Sequence, residues 1–261
     1  MNILFVGDVV GASGRRALQE HVIRLKKEKN IDLVIANAEN AAHGKGITFK
    51  IYKQLQQYGV DVITMGNHTF SKDTILNFID EADVLIRPMN LEPVEYGQYY
   101  KLIDICNTRV CVTNIMCEVF MHNVSASPFS CMEQLLEEVQ ADMYIVDLHG
   151  EATSEKTAFA NYFKDKVHVV LGTHTHVQTA DERIIENCAF ISDVGMCGAY
   201  DSIIGREVEE VLTRFTSDKK TRFTVAEGDF LFCAVCIEID EITKQVQNIE
   251  RIQIRPKMLS E

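Results

Sequence analysis

The sequence predicts an α/β layered fold with two sheets packed together and helices outside, and three observations carry that prediction. Short apolar runs alternate with amphipathic stretches along most of the 261 residues, the pattern of strands feeding helices. Extra β-rich segments, at 98–116 and from Asp229 to Arg255, call for a second sheet. No internal repeat, low-complexity tract or Pro-rich linker breaks the pattern, and this length fits one large domain, 1–261.

Taken in order, NILFVG reads as a strand and residues 14–29 as a helix, with Leu18, Val22 and Leu25 on one face. DLVIAN is a second strand, and FKIYKQLQQYG a second helix closed by Gly59. DVITMG is a third strand, after which Ser71 is expected to cap a helix containing Ile75, Leu76, Phe78 and Ile79. QYYKLIDI and TRVCVTNIM pair around a turn at Asn107 and Thr108. CMEQLLEEVQ, SEKTAFANYF and GREVEEVLTRFT read as helices; DMYIVDLH, VHVVLGT and CAFISDVG read as strands. The tail holds two β-rich segments that can pair with each other.

Composition narrows the function. Hydrophobic residues make up 46% of the chain, enough for a sizeable core. A formal net charge of −12 argues against long duplex DNA or RNA as the main partner, because such binding needs basic surface to displace counterions. A small phosphate ester stays compatible, since bound metal ions make an acidic protein locally positive. The start of the chain lacks the pattern of a secretory signal and no run of about 20 apolar residues exists, so a soluble, cytoplasmic protein away from membranes is expected. The eight cysteines are then expected to be reduced. Cys233 and Cys236 form a CxxC, but inside the apolar run FLFCAVCIEI they read as small buried hydrophobes.

The most informative feature lies at the strand ends. NILFVG ends in Asp8, DLVIAN runs into Glu39 and Asn40, and DVITMG ends in Asn67 and His68. MYIVDL ends in His149, and VHVVLGT in His174 and His176. Carboxyl ends of strands in an α/β sheet converge on one edge, where ligands bind. Carboxylate, imidazole and amide donors together suit Mn, Fe, Co or Zn better than Ca or Mg. Six or seven ligands are too many for one open catalytic ion and suit two. His174 and His176 are two apart, so an extended backbone would point both the same way. Gly7, Gly66, Gly150 and Gly172 let the backbone come close at the turns.

GDVVG at 7–11, NAEN at 37–40, GNH at 66–68, His149, and GTHTH at 172–176 together resemble the calcineurin-like metallophosphoesterases. With GDVVGASGR, HGEATSEK and DVGMCGAYDSIIGR the chain is more narrowly similar to their bacterial YmdB-like branch, over residues 7–229. The resemblance implies a four-layer α/β/β/α sandwich with two central mixed sheets and a binuclear metal centre. Iron is the metal implied, with Mn or another transition metal as the alternative. It implies phosphodiesterase action on small phosphodiesters, 2′,3′-cyclic nucleotides among them, by a homo-oligomer, dimer or tetramer. Asp8, Glu39, Asn40 and His176 would hold one metal, and Glu39, Asn67, His149 and His174 the other, with Glu39 bridging. A hydroxide shared by the metals would attack phosphorus while His68 acts as proton donor. Two departures stand out: Val9 and Val10 follow Asp8 where the wider superfamily has Asp-x-His, and Thr69 follows GNH where an acid is usual.

Other residues read more plainly. His21 is expected to be exposed on a polar helix, His122 and His168 to be structural, and EVEE to be a solvated helix face. His43 lies near the metal loop, and Arg206 either meets a substrate phosphate bidentately or sits on the surface at a helix start. Competing functions are a phosphomonoesterase or protein phosphatase on the same site, and a non-catalytic metal-containing regulator.

Overall fold

The computed structural model describes residues 1–256. One mixed sheet contains β1 (Asn2–Val6), β2 (Asp8–Val9), β3 (Leu33–Asn37) and β4 (Val62–Thr64), with β11 (Met196–Ala199), β12 (Phe230–Ile239) and β13 (Val246–Ile254). Its order is β2-β11-β12-β1-β3-β4, with β13 also paired to β12. The second, also mixed, is formed by β5 (Tyr100–Ile105), β6 (Thr108–Met116), β7 (Met143–His149), β8 (Val169–Thr173), β9 (Arg183–Ile185) and β10 (Cys188–Ile191). Its order is β5-β6-β7-β8-β10-β9. The β5–β6 pair and the β12–β13 pair are antiparallel, as the sequence suggested.

Strand alternation builds the four layers. In β1, Ile3 and Phe5 pack with Ile145, Val169 and Leu171 of the opposite sheet. Their neighbours Leu4 and Val6 face outward onto Leu18, Val22 and Leu25 of α1 (Gly11–Glu28) and Leu55 of α2 (Phe49–Gln57). On the far side Tyr144, Val146 and Leu148 of β7 pack on Met132 and Leu135 of α3 (Pro128–Glu138) and Phe159 and Phe163 of α4 (Thr153–Phe163). The result is the expected α/β/β/α sandwich, with α5 (Val208–Thr216) following the loop after β11. Thr48 caps α2 through its side chain, which accepts from Ile51 N, and Gly59 with φ +90° lets the chain leave it.

Three expectations are corrected. Ser71 does not cap an α-helix: residues Asp73–Asn77 and Ile79–Glu81 form two short 3-10 turns. Phe78 between them has φ −149°, which interrupts any continuous helix, and Asp80 accepts from Gly97 N instead of serving helix geometry. His21 is buried, 6% exposed, because the edges of Phe230 and Phe232 meet its ring. His122 is exposed rather than structural. His168 does serve the fold, its Nδ1 accepting from Tyr144 N, and Cys233 sits buried in β12 beside a half-buried Cys236. Among the described residues no helix is long and apolar enough to cross a membrane.

Candidate metal centre

Parity along the strands explains how the site is assembled. Residues facing the other sheet are apolar until the carboxyl ends, where Asn37 of β3, Thr64 of β4, and Asp147 and Thr173 of β7 and β8 replace them. These four meet between the sheets: Asn37 Nδ2 donates to Asp147 Oδ2 at 3.0 Å, the Thr64 hydroxyl donates to the same oxygen, and the Thr173 hydroxyl donates to Asp147 Oδ1 at 2.6 Å. Burial raises the Asp147 pKa, while His149 and these hydrogen bonds pull it down.

This polar layer orients the first histidine. The single proton of the Thr173 hydroxyl goes to Asp147, so the contact with His149 Nδ1 at 2.9 Å is one in which the ring N–H donates. His149 Nε2 is thereby directed to the site, 2.9 Å from Asn67 Oδ1, 3.1 Å from His174 Nδ1 and 3.4 Å from Glu39 Oε1. Glu39, His149 and His174 offer ligand atoms within 4.8 Å of one another. A second group adjoins it. His176 Nε2 lies 3.8 Å from Asp8 Oδ1 and 3.1 Å from Asn40 Nδ2, and its Nδ1–H donates to Ile204 O at 2.9 Å. Asn40 Nδ2 also donates to Glu39 Oε1 at 3.0 Å, so Glu39 touches both groups. Asn40 turns its NH2 to the site; a half-turn of the amide would present its oxygen instead.

The electrostatics match clustered ligands. Burial pushes the Asp8 carboxyl up to about 7, against the pull of His176 and His149. Burial opposes ionisation of both Glu39 and His149, yet their mutual attraction prevails, holding Glu39 below the usual range and His149 up at about 9. Burial and the neighbouring His149 push His174 down to about 3. Three observations fit bound cations here. Asp8 Oδ1 is buried without a hydrogen-bond partner among the described residues. A Cβ at Gly66 would collide with Glu39 Oε2 and the His149 ring, so only glycine leaves room for that pair. The donor set of carboxylate, imidazole and amide groups is a transition-metal set. Gly7, Gly150 and Gly172 serve packing instead, against Gly195, Cys117 and Ser192.

His174 and His176 reach the site differently from expectation. Their φ values are +110° and +68°, so the segment is not extended. It is held by a buried ion pair that the sequence reading missed. Lys156 Nζ donates to Thr173 O, to Ser192 O and to Asp193 Oδ2, the last at 3.3 Å, and Asp193 Oδ2 accepts from Thr175 N at 2.9 Å. Both side chains are 1% exposed.

His68 borders the same pocket, a cavity of about 300 Å³ also lined by Glu151, Ile204 and Arg206. Its backbone N–H donates to Glu39 Oε2 at 2.9 Å, and its Nδ1 lies 3.2 Å from Ser71 Oγ. Ser71 thus gives the His68 ring a hydrogen-bond partner in a chain where Thr69, not an acid, follows GNH. Arg206 is half-buried and donates to Gly44 O at 2.7 Å, so it is not simply a surface residue. His43 is exposed and lines a separate groove. Lys156 and Asp193 lie inside HGEATSEK and DVGMCGAYDSIIGR, but only the folded contacts reveal their pairing.

Comparisons with known proteins agree with this architecture. A curated Bacillus subtilis (strain 168) protein, described as a 2′,3′-cyclic-nucleotide 2′-phosphodiesterase, is 44% identical over 97% of each chain. A crystal structure of a novel phosphatase from Mycoplasma pneumoniae superposes with a TM-score of 0.93 at 36% identity, covering 98% of this chain and 93% of that one. One of a hypothetical protein from Thermus thermophilus gives 0.91 at 36% identity, covering 98% and 99%. The family model described as YmdB-like protein matches residues 4–252, which take in every ligand candidate from Asp8 to His176. The chain therefore belongs to the YmdB-like protein family.

Proposed function

We propose that this centre hydrolyses small phosphodiesters, 2′,3′-cyclic nucleotides first among them, using two metal ions, iron in our reading, within one metallophosphoesterase domain. The chain is a phosphoric ester hydrolase, in keeping with relatives described as a phosphodiesterase and a phosphatase. The observation that carries the finer reading is the pair of donor groups meeting at Glu39. Asp8, Asn40 and His176 would hold one ion, Asn67, His149 and His174 the other, and Glu39 would be shared. When bound, such ions supply Lewis acidity, which offsets phosphate charge and lowers the pKa of water toward neutrality.

The protein's own groups supply the rest. A new bond forms between phosphorus and the oxygen of a water that releases one proton to solvent, the bond from phosphorus to the sugar oxygen breaks, and that oxygen takes a proton. His68 is the donor. In the protonated ring Nδ1–H donates to the Ser71 hydroxyl, and the proton given up is the one on Nε2, which leaves neutral imidazole. Burial lowers the His68 pKa although Glu39 opposes this; an arriving phosphodiester anion acts in the same sense as Glu39 and favours the protonated ring. Arg206 lines the pocket and would hold a phosphate oxygen.

The test joins metal analysis of anaerobically purified protein to turnover of adenosine 2′,3′-cyclic phosphate, bis-p-nitrophenyl phosphate and p-nitrophenyl phosphate. Two ions per chain and faster diester than monoester hydrolysis are expected. Protein that is metal-free, or that turns over only the monoester, would overturn the reading.

A further inference from the structure

Next to the metal pocket lies a groove of about 430 Å³ that the reaction as described does not use. Its lining includes Arg15, His43, Arg222, Phe223 and Glu227, together with Gly11 and Ala12 of the first turn of α1. One side chain parts the two cavities: Arg206 lines the metal pocket and, on its other flank, packs on Gly44, which also abuts Val225 of the groove. The backbone that follows Glu39 ties to the groove side, with Asn40 O accepting from Gly11 N and Gly44 N, and Ala41 O from Arg15.

We propose that this groove is a second nucleotide subsite, which takes the phosphate and base on the 5′ side of a short oligonucleotide whose terminal phosphodiester is cleaved at the metals. The inference rests on the proposed function and names its substrate more closely. Four observations support it. Arg206, Arg15 and Arg222 form a basic path leading from the metal pocket, with one carboxylate, Glu227, in the groove lining, on a chain whose net charge is −12. The Arg15 Nε–H is buried and has no acceptor among the described residues, although the same guanidinium is anchored through Nη1 to Ala41 O. Val10, the N-cap of the 18-residue α1, offers no side-chain acceptor and the first turn carries no acid, so that end of the helix favours an anion. Phe223 is 43% exposed beside Arg222, which gives a base a ring to stack on. The segment carrying both is anchored to its surroundings, since Thr224 N donates to Glu210, Thr224 O accepts from Glu207 N, and Ala226 N donates to Gly205 O.

Binding and turnover are read separately. Binding of a dinucleotide carrying a 3′-phosphate is compared with that of a nucleoside 3′-phosphate by calorimetry, for the wild-type holoenzyme and for Arg222→Glu and Phe223→Ala. About tenfold tighter binding of the dinucleotide is expected, and about tenfold loss of that advantage in each variant, with mononucleotide binding within about twofold of wild type. Equal binding of the two ligands, or a loss in the variants shared equally by both, overturns the subsite. Turnover is then measured on a dinucleotide ending in a 2′,3′-cyclic phosphate and on the cyclic mononucleotide. Tighter dinucleotide binding without hydrolysis of either would leave the groove standing and remove the proposed reaction.

Discussion

Replacing Thr173 by valine tests how the site is built from the fold. The hydroxyl is fully buried and joins two groups, accepting from His149 Nδ1 at 2.9 Å and donating to Asp147 Oδ1 at 2.6 Å. Valine keeps the shape and removes both bonds. A hydrogen bond to a charged acceptor contributes about 1.5–3 kcal/mol and a neutral one about 0.5–1.5 kcal/mol. Asp147 keeps its bonds from Thr64 and Asn37, and the added methyl recovers some burial, so a net loss of about 2–4 kcal/mol is expected. Urea unfolding of metal-free protein, followed by circular dichroism, gives this number without any reliance on catalysis. The ring of His149 would also lose the partner that fixes its tautomer, which lowers metal affinity about 10–100-fold. That is read by competition with a chelating dye. Stability within about 0.5 kcal/mol of wild type together with unchanged affinity would refute the idea that the buried hydroxyl organises the centre.

Other perturbations probe separate parts. His68→Gln should lower kcat about 10²–10⁴-fold while metal content, measured by mass spectrometry, stays at the wild-type level; loss of the ions would make His68 a ligand instead. Lys156→Met leaves Asp193 buried without its cation and should cost about 3–5 kcal/mol in urea unfolding; an unaltered midpoint would show that the pair does not hold the loop. Burial lowers the His21 pKa from its ordinary value of 6.5. The unfolded chain therefore binds the extra proton first, and stability falls as pH drops below about 6.5. In thermal melts between about pH 5 and 8, His21→Phe should lose less stability on acidification than wild type, and parallel curves would contradict this.

The candidate ligands were legible in the sequence because each interrupts an apolar run at its end. What lay behind them was not legible. Asn37 and Asp147 belong to different sheets and meet only once the sandwich closes; their strand parity, facing inward like Leu33 and Ile145, was the available sign. His21 has Glu20 and Arg24 as sequence neighbours and reads as surface, whereas the rings that cover it come from β12, far along the chain. Periodic apolar residues at 75–79 imitated a helix, and the extended φ of Phe78 that breaks it has no local signature. His174 and His176 have positive φ in a segment tied down by Asp193 and Lys156, again remote in sequence.

Asp8, Glu39 and Asn67 come from the first sheet, and His149, His174 and His176 from the second. Cations held by this set would act as rivets through the sandwich, so opening the two halves would require releasing them. A single ion at about a thousandfold excess over its Kd then adds about 4 kcal/mol to global stability, comparable with a disulfide. Durability and chemistry would answer to the same few atoms: substitutions that loosen the seam between the halves, far from any ligand, would surface first as weakened ion retention.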